Sequence, residues 1–434
     1  MKRAGIALTA LAALMITTPG IALAADPGVP TTLDVAVDGA RPNDRSFGGN
    51  SMSADGRYVA FTSFASNLVA NDTNGKLDVF VRDTVSGTTT LVSVASDGSQ
   101  ATAPSSDPSI SADGRYIAFE SYAPNLVPGD TNDANDVFVR DLRTGTTTRV
   151  SVTADGRAGG WHDVSQFPSI SADGRYVVFE TESRLVPSDV DFQSDVYVYD
   201  RATARPLRVS VSTSGGQTDR ANYWAHARIS ADGRYVVFHS DATNLVNGDV
   251  NGKQDVFVRD LHKLRTSLVS VSESFVQGNE FSYEASISDD GRYVSFISMA
   301  TNFPNGADGA NRHRVYVKDL VTGELTREDR NTAGEYVFGY EAQISGDGRH
   351  LAMQADSGIT EGVAGSENIY VRDRQTGVLT PASHGFAGAP AVRTCLDIAL
   401  SADGRHVAFT SDDGTLTPDD NDRKDNTFFT TLAG

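Results

Sequence analysis

Only one cysteine, Cys395, occurs among the 434 residues, so no disulfide can form within this chain. Stability must come from a buried core, which a chain of this length can supply. Glutamate is scarce, 12 residues against 44 Asp. Asp favours turns and Glu favours helices, so the ratio excludes a helical bundle. Lysine is scarcer still, 6 against 31 Arg, and the formal net charge is -19. A chain of that sign repels phosphate backbones and carries no basic cluster, which sets nucleic-acid binding aside. Neither Gly-x-Ser-x-Gly nor His-Glu-x-x-His occurs, and the eight His are scattered singly. Hydrolase and zinc-peptidase chemistry therefore have no motif to rest on, and a non-enzymatic role is expected.

Long apolar runs are confined to the start of the chain. Lys2 and Arg3 precede an apolar run from Ala4 to Ile16, and Ala22-Leu23-Ala24 offers a small-residue cleavage site. Residues 1–24 thus read as a secretory signal peptide and 25–434 as one exported, monomeric domain in the periplasm or cell envelope. Beyond residue 24 no stretch reaches the roughly 18 apolar residues that a membrane-spanning helix needs.

What the chain does have is repetition. Ser-x-Asp-Gly-Arg followed by an apolar run occurs seven times, with its Asp at 55, 113, 173, 232, 290, 347 and 403. A second run follows each copy, such as Asp-Val-Phe-Val-Arg-Asp at 78–83, 136–141 and 255–260, then a third such as Thr-Thr-Leu-Val-Ser-Val at 89–94. With the short run that ends at Ser-Ile-Ser before the Asp-Gly turn, each unit holds four short β-branched and aromatic strands without helical periodicity. Asp-Gly is a hairpin signal, because Gly accepts the positive φ such a turn requires. The middle strands are apolar on both faces, so each sheet must be covered on both sides. Seven sheets stacked around an axis meet that need: the fold class is all-β, a seven-bladed β-propeller of four-stranded antiparallel blades. The seventh unit stops one strand short, and residues 31–37 copy the missing pattern. The N-terminal strand is therefore expected to pair beside 426–432 and close the ring.

Ser-Ala-Asp-Gly-Arg-Tyr-Val-Ala-Phe followed by Asp-Val-Phe-Val-Arg-Asp and a Thr-Gly turn resembles the PD40, or WD40-like, propeller repeat of the TolB family. The resemblance covers essentially the whole mature chain. It implies an exported, non-enzymatic interaction module, and the same repeat also occurs beside peptidase domains and in some polysaccharide lyases. Most copies here carry Ala where the family usually has Pro before Asp-Gly.

Propeller geometry puts the short, repeated turns on one face and the long, individual loops on the other. The variable face gathers the candidate ligand-binding residues Trp161, His162, Tyr223, Trp224, His226, Tyr283, Glu284, Tyr340 and Glu341. Asp107, Phe167, His226, Glu284, Glu341 and Asp397 occupy equivalent places before the innermost strand and are expected to ring one mouth of the central channel. Those carboxylates would attract a cation or a basic partner.

Five loops on that face share an Asp-x-Asn/Asp-x-x-x-Asp pattern: Asp72, Asn74, Asp78; Asp130, Asn132, Asp136; Asp189, Asp191, Asp195; Asp249, Asn251, Asp255; and Asp419, Asn421, Asp425. Oxygen donors at alternate positions suit Ca²⁺, while the same residues also suit Asx turns onto their own backbone, and the pattern alone leaves both readings open. Recognition of a protein or a polysaccharide by this face is the expected function, with a carbohydrate-active lyase or hydrolase on the same face as the alternative.

Overall fold

The computed structural model describes residues 28–47, 49–160, 163–222, 224–309, 312–356, 367–386, 388, 391–418 and 423–432. The proposed signal segment lies outside them, as do Trp161, His162, Tyr223, Asp419 and Asn421. Seven four-stranded antiparallel sheets account for every strand, and no helix occurs among the described residues. The second blade is representative, with strands Ser105–Ile110, Tyr116–Ser121, Asp136–Asp141 and Thr146–Arg149. First strands of successive blades touch all the way round, the seventh against the first. The seventh blade is completed by the N-terminus: Thr31 and Thr32 pair with Phe429 and Phe428. The Leu33 amide then donates to the Thr427 carbonyl at 2.8 Å, so the ring closes as the sequence requires.

The repeated motif builds the same turn seven times and, in six blades, a clamp beyond it. Asp55 accepts from the Ser53 hydroxyl at 2.7 Å and from the Arg57 amide at 3.0 Å, which fixes the turn. The Arg57 side chain then reaches the end of the third strand and grips Asp83 with two bonds, 3.1 and 2.7 Å. Its guanidinium also lies 4.9 Å from the Tyr58 ring centroid. Equivalent clamps join Arg115 to Asp141, Arg175 to Asp200, Arg234 to Asp260, Arg292 to Asp319 and Arg349 to Asp373. Being partly exposed, each pair contributes little to stability, and its bidentate geometry serves mainly to fix the register.

Contacts between blades matter more. Gly114 has φ 73°, and a Cβ there would overlap the ring of Tyr58 in the preceding blade. The same close approach recurs for Gly174 on Tyr116, Gly233 on Tyr176, Gly291 on Tyr235, Gly348 on Tyr293 and Gly404 on His350, and Gly56 on His406 closes the circle. Beside it the backbone is stitched from blade to blade: the Ala54, Ala112 and Ala172 amides donate to the carbonyls of Ala112, Ala172 and Ala231 at 3.0–3.1 Å, and Ala402 donates to Ala54 at 3.0 Å. Proline at these alanine positions would lack the donor. Between the sheets the core is apolar, for example Val178, Val196 and Val198 of the third blade against Ala227, Ile229 and Phe238 of the fourth.

Gly174→Ala is expected to cost about 2–4 kcal/mol, from positive φ plus overlap with Tyr116. Gly156→Ala, at φ 79° with open space around it, carries the backbone penalty alone, about 1 kcal/mol. Urea unfolding of both variants isolates the inter-blade packing, and equal losses would deny it.

Candidate functional site

Where the variable loops feed the innermost strands, the strands are irregular. Register breaks fall between Ser106 and Ser109, Gln166 and Ser169, Tyr283 and Ser286, Gly339 and Glu341, and Leu396 and Ala399. At the equivalent place of six blades Asp107, Phe167, His226, Glu284 and Asp397 adopt φ of 40–55°, and Gly49 takes φ 63°. Each non-glycine residue held there costs on the order of 1 kcal/mol, so the surrounding structure must enforce the conformation. Together with Glu341 these residues, one per blade, line a cavity of about 540 Å³ at the channel mouth.

Neighbouring blades hold the bulges in place. The Phe167 amide donates to Glu120 Oε2 at 2.9 Å, the His226 amide to Glu180 Oε1 at 2.6 Å and the Glu284 amide to His239 Nδ1 at 3.3 Å. Asn50 binds the Asp397 carbonyl at 2.9 Å and Thr410 at 3.0 Å. Glu120, Glu180 and His239 share the fifth place of the second strand. That place reads Thr62, Glu120, Glu180, His239, Ile297, Gln354 and Thr410 around the ring, whereas the rest of the strand hardly changes. Sequence reasoning missed this shell, although its variability within an otherwise repeated strand was the signal.

Two residues further down the innermost strand, Ser51, Ser109, Ser169 and Ser286 accept the amides of Ile110, Ile170, Ile229 and Ile344 at 3.0–3.4 Å. In the fourth blade this place is taken by Arg228, which lines the cavity. Among the described residues its one hydrogen bond is to the Ala227 carbonyl at 3.4 Å. Asp107, Glu341, Glu284 and Glu180 attract it through space. One guanidinium cannot neutralise so many carboxyls. Burial pushes Glu341 and Glu180 up to about 8 and raises Glu284, while burial and the neighbouring Asp107 raise Glu120. Burial likewise drives His226 down to about 4 and His239 to about 3, so both imidazoles are neutral at pH 7.

An arc of rings borders the cavity across the third to sixth blades. Phe167 stacks near Trp224 at 5.3 Å and His226 at 4.7 Å; His226 meets His239 at 6.0 Å, His239 meets Tyr283 at 6.4 Å, and His313 lies 5.5 Å from Tyr340. The Tyr283 hydroxyl and His313 Nδ1 are hydrogen-bonded at 2.9 Å. Trp224, 61% exposed, sits at φ 58°. Of the expected ligand residues, His226, Glu284, Tyr340 and Glu341 share the cavity wall, and Trp224 and Tyr283 pack around it. Cys395 is buried and its thiol is pushed up to about 12 by burial, which removes it as a nucleophile.

The Asp-rich loops lie on the same face, because the following long loops bind them: Gln277 Nε2 donates to Asp249 and Asp255, both at 2.8 Å. Strand-opening Asp78, Asp136, Asp195 and Asp255 each accept a serine hydroxyl at 2.5 Å. In the seventh blade Ser411 pairs with Asn426, so Asn426 and not Asp425 holds this place, a one-residue correction to the spacing. Asp189, Asp191 and Asp195 bring carboxylate oxygens within 4.8 Å of one another, a cluster able to hold a metal. However, Arg208 already bridges Asp189 and Asp195 at 3.3 Å each, as Arg149 bridges Asp130 and Asp136 at 2.9 and 3.1 Å.

No protein-family model and no curated protein sequence matches the chain. Solved structures do. An oligogalacturonate lyase in complex with manganese is 14% identical over 94% of each chain with a TM-score of 0.56. TolB from Acinetobacter baumannii is 15% identical over 75% of this chain with a TM-score of 0.43, and the match spans 63% of its own length. The β-propeller domain of the Trilobed protease from Pyrococcus furiosus is 11% identical over 85% of this chain and 91% of that one, with a TM-score of 0.49. At such identities the likeness establishes the propeller and nothing finer.

Arg208→Leu is expected to cost about 3 kcal/mol at pH 8, by leaving two buried carboxylates unpaired. Asp195, raised to about 6 by burial even beside the guanidinium, rises further without it. A raised carboxyl is penalised as pH climbs through its folded pKa, so the deficit shrinks at pH 5. Thermal melts at the two pH values check the sign.

Proposed function

We propose that this protein is an exported, non-enzymatic binding module that takes a positively charged group of a protein or glycan into the acidic channel mouth. The observation that carries the reading is the convergence of Asp107, Glu284, Glu341 and Asp397 on one cavity bordered by Trp224, Phe167, Tyr283 and Tyr340. Carboxylates attract a cation by charge, and aromatic faces attract it through their quadrupoles. A volume of about 540 Å³ suits one long side chain or one or two sugar residues. The same charge repels polyuronates, which argues against an acidic polysaccharide as ligand. Export rests on residues 1–24; among the described residues no helix is long and apolar enough to cross a membrane. A divalent cation of the calcium type, held by an Asp-rich loop, is the second element of the proposal, supported by the oxygen donor set.

A second reading has one observation in its favour. Glu341, held protonated near neutral pH by burial, shares the cavity wall with Glu284, whose charge it feels, and a pair of carboxyls in one cavity is the equipment of a glycoside-cleaving site. Incubation with neutral, basic and acidic polysaccharides, followed for new reducing or unsaturated ends, decides: turnover lost in Glu341→Gln would make the protein an enzyme.

For the binding reading, calorimetry with a hexalysine peptide and with a chitosan oligomer is the direct measurement. Affinity should rise between pH 6 and pH 9, because Glu180 and Glu341 must lose their protons to face a cation, and binding should release protons into the buffer. Glu284→Gln/Glu341→Gln should weaken it at least tenfold. Binding that ignores pH and the double variant would place recognition elsewhere.

A further inference from the structure

We infer that the first blade binds a divalent cation of the calcium type between Asp72 and Asp78, and that arginine guanidinium groups replace that ion in the second and third blades. This rests only on the divalent-cation element proposed above and is independent of what the channel mouth holds.

The blades provide their own comparison. The residue paired across from the third-strand aromatic is Leu91 opposite Phe80, Arg149 opposite Phe138, Arg208 opposite Tyr197 and Leu268 opposite Phe257. Where it is Arg, its guanidinium lies between the two carboxylates of the adjacent loop, at 2.9 and 3.1 Å in one blade and 3.3 Å twice in the other. Leu91 and Leu268 leave the same carboxylate pairs without that charge. The fourth blade compensates with the amide of Gln277, which donates to both Asp249 and Asp255 at 2.8 Å.

Among the described residues the first blade shows no such compensation. Gln100, the counterpart of Gln277 in the bridge to Val94, keeps the same oxygen contact, accepting the Thr73 amide at 3.1 Å as Gln277 accepts that of Val250. Its nitrogen, however, donates to the Asn71 carbonyl at 2.7 Å, where that of Gln277 donates to the carboxylates. Asp78 is fully buried and takes Ser93 and Asn74 as donors at 2.5 and 2.7 Å. Asp72 is only 8% exposed, and its Oδ1 is buried without any hydrogen-bond partner. The negative charge of Asp72 is felt at Asp78. Two buried carboxylates side by side with one orphaned oxygen require a positive charge. Hard oxygen donors and nearby backbone carbonyls select a hard ion such as Ca²⁺, with water completing the shell.

The test is calcium titration of the full chain by calorimetry and thermal melting, against a chelator. Wild type should bind one Ca²⁺ and melt higher by a few degrees at saturation, since an ion bound only by the folded state must stabilise it. Leu91→Arg should lose the calcium response, and Arg149→Leu should raise the stoichiometry to two. Absence of any calcium effect in wild type, or a Leu91→Arg protein that still binds one ion, would overturn the assignment. Hexalysine binding measured on the same samples reports the channel mouth separately.

Discussion

Every blade of this ring leans on the next through one recurring contact, the Asp-Gly turn seated on the Tyr or His ring that opens its neighbour's second strand. The contact needs Gly twice over, once for its φ near 72° and once because a Cβ would occupy the volume of the ring. Neighbouring alanine amides add a hydrogen bond across most junctions, including the closing one from Ala402 to Ala54. In a chain without a disulfide, this girdle and the inter-sheet core keep seven separate sheets at a fixed spacing. The rigidity makes the strained bulges affordable, because a residue at positive φ persists only where the surroundings over-determine it.

The architecture was readable because repetition amplifies weak local signals. One Asp-Gly between two apolar runs is an ambiguous hairpin; seven at even spacing, with residues 31–37 supplying the strand that the last unit lacks, leave one closed solution. The channel mouth was partly readable for the same reason: Asp107, Glu284, Glu341 and Asp397 stand at equivalent places, and the cavity wall contains all four. Glu120, Glu180 and His239 were hidden because a polar residue inside an apolar strand looks like noise until the next blade's amide is seen bonded to it. Arg228 stands in plain register, Arg-Ile-Ser where other units read Ser-Ile-Ser, and only the fold shows that this place lines the cavity. Asp425 was misplaced by one residue because acids at 419 and 425 imitate the pattern, although Asn426 follows Ser411 at the same interval as Asp78 follows Ser63.

The same logic separates scaffold from site. On the face of short turns six of the seven repeat arginines meet a third-strand Asp, and Asp83, Asp200 and Asp319 are pulled down to about 2, Asp83 and Asp200 chiefly by the arginine's hydrogen bonds and Asp319 by Arg292 against the opposing effect of burial. These pairs are self-sufficient and have nothing left to offer a partner. On the loop face the pairing is graded. Two Asp-rich loops are filled by guanidinium groups, one by an amide, and one has nothing described across from it.

At the channel mouth the pairing rule fails altogether, with four wall carboxyls, two more behind them and one arginine. Burying like charges this way destabilises the folded state, and protonation of Glu180 and Glu341 near neutral pH relieves only part of it. The blades show repeatedly that this chain can place an Arg against an Asp, so the surplus is not forced by the fold. Arg228 sharpens the point: it displaces a serine that elsewhere bonds the next blade, exchanging a structural hydrogen bond for a half-buried charge in the cavity. A scaffold that matches Arg to Asp on one face and gathers more carboxyls than guanidinium groups around the channel mouth on the other concentrates its unbalanced charge at that mouth.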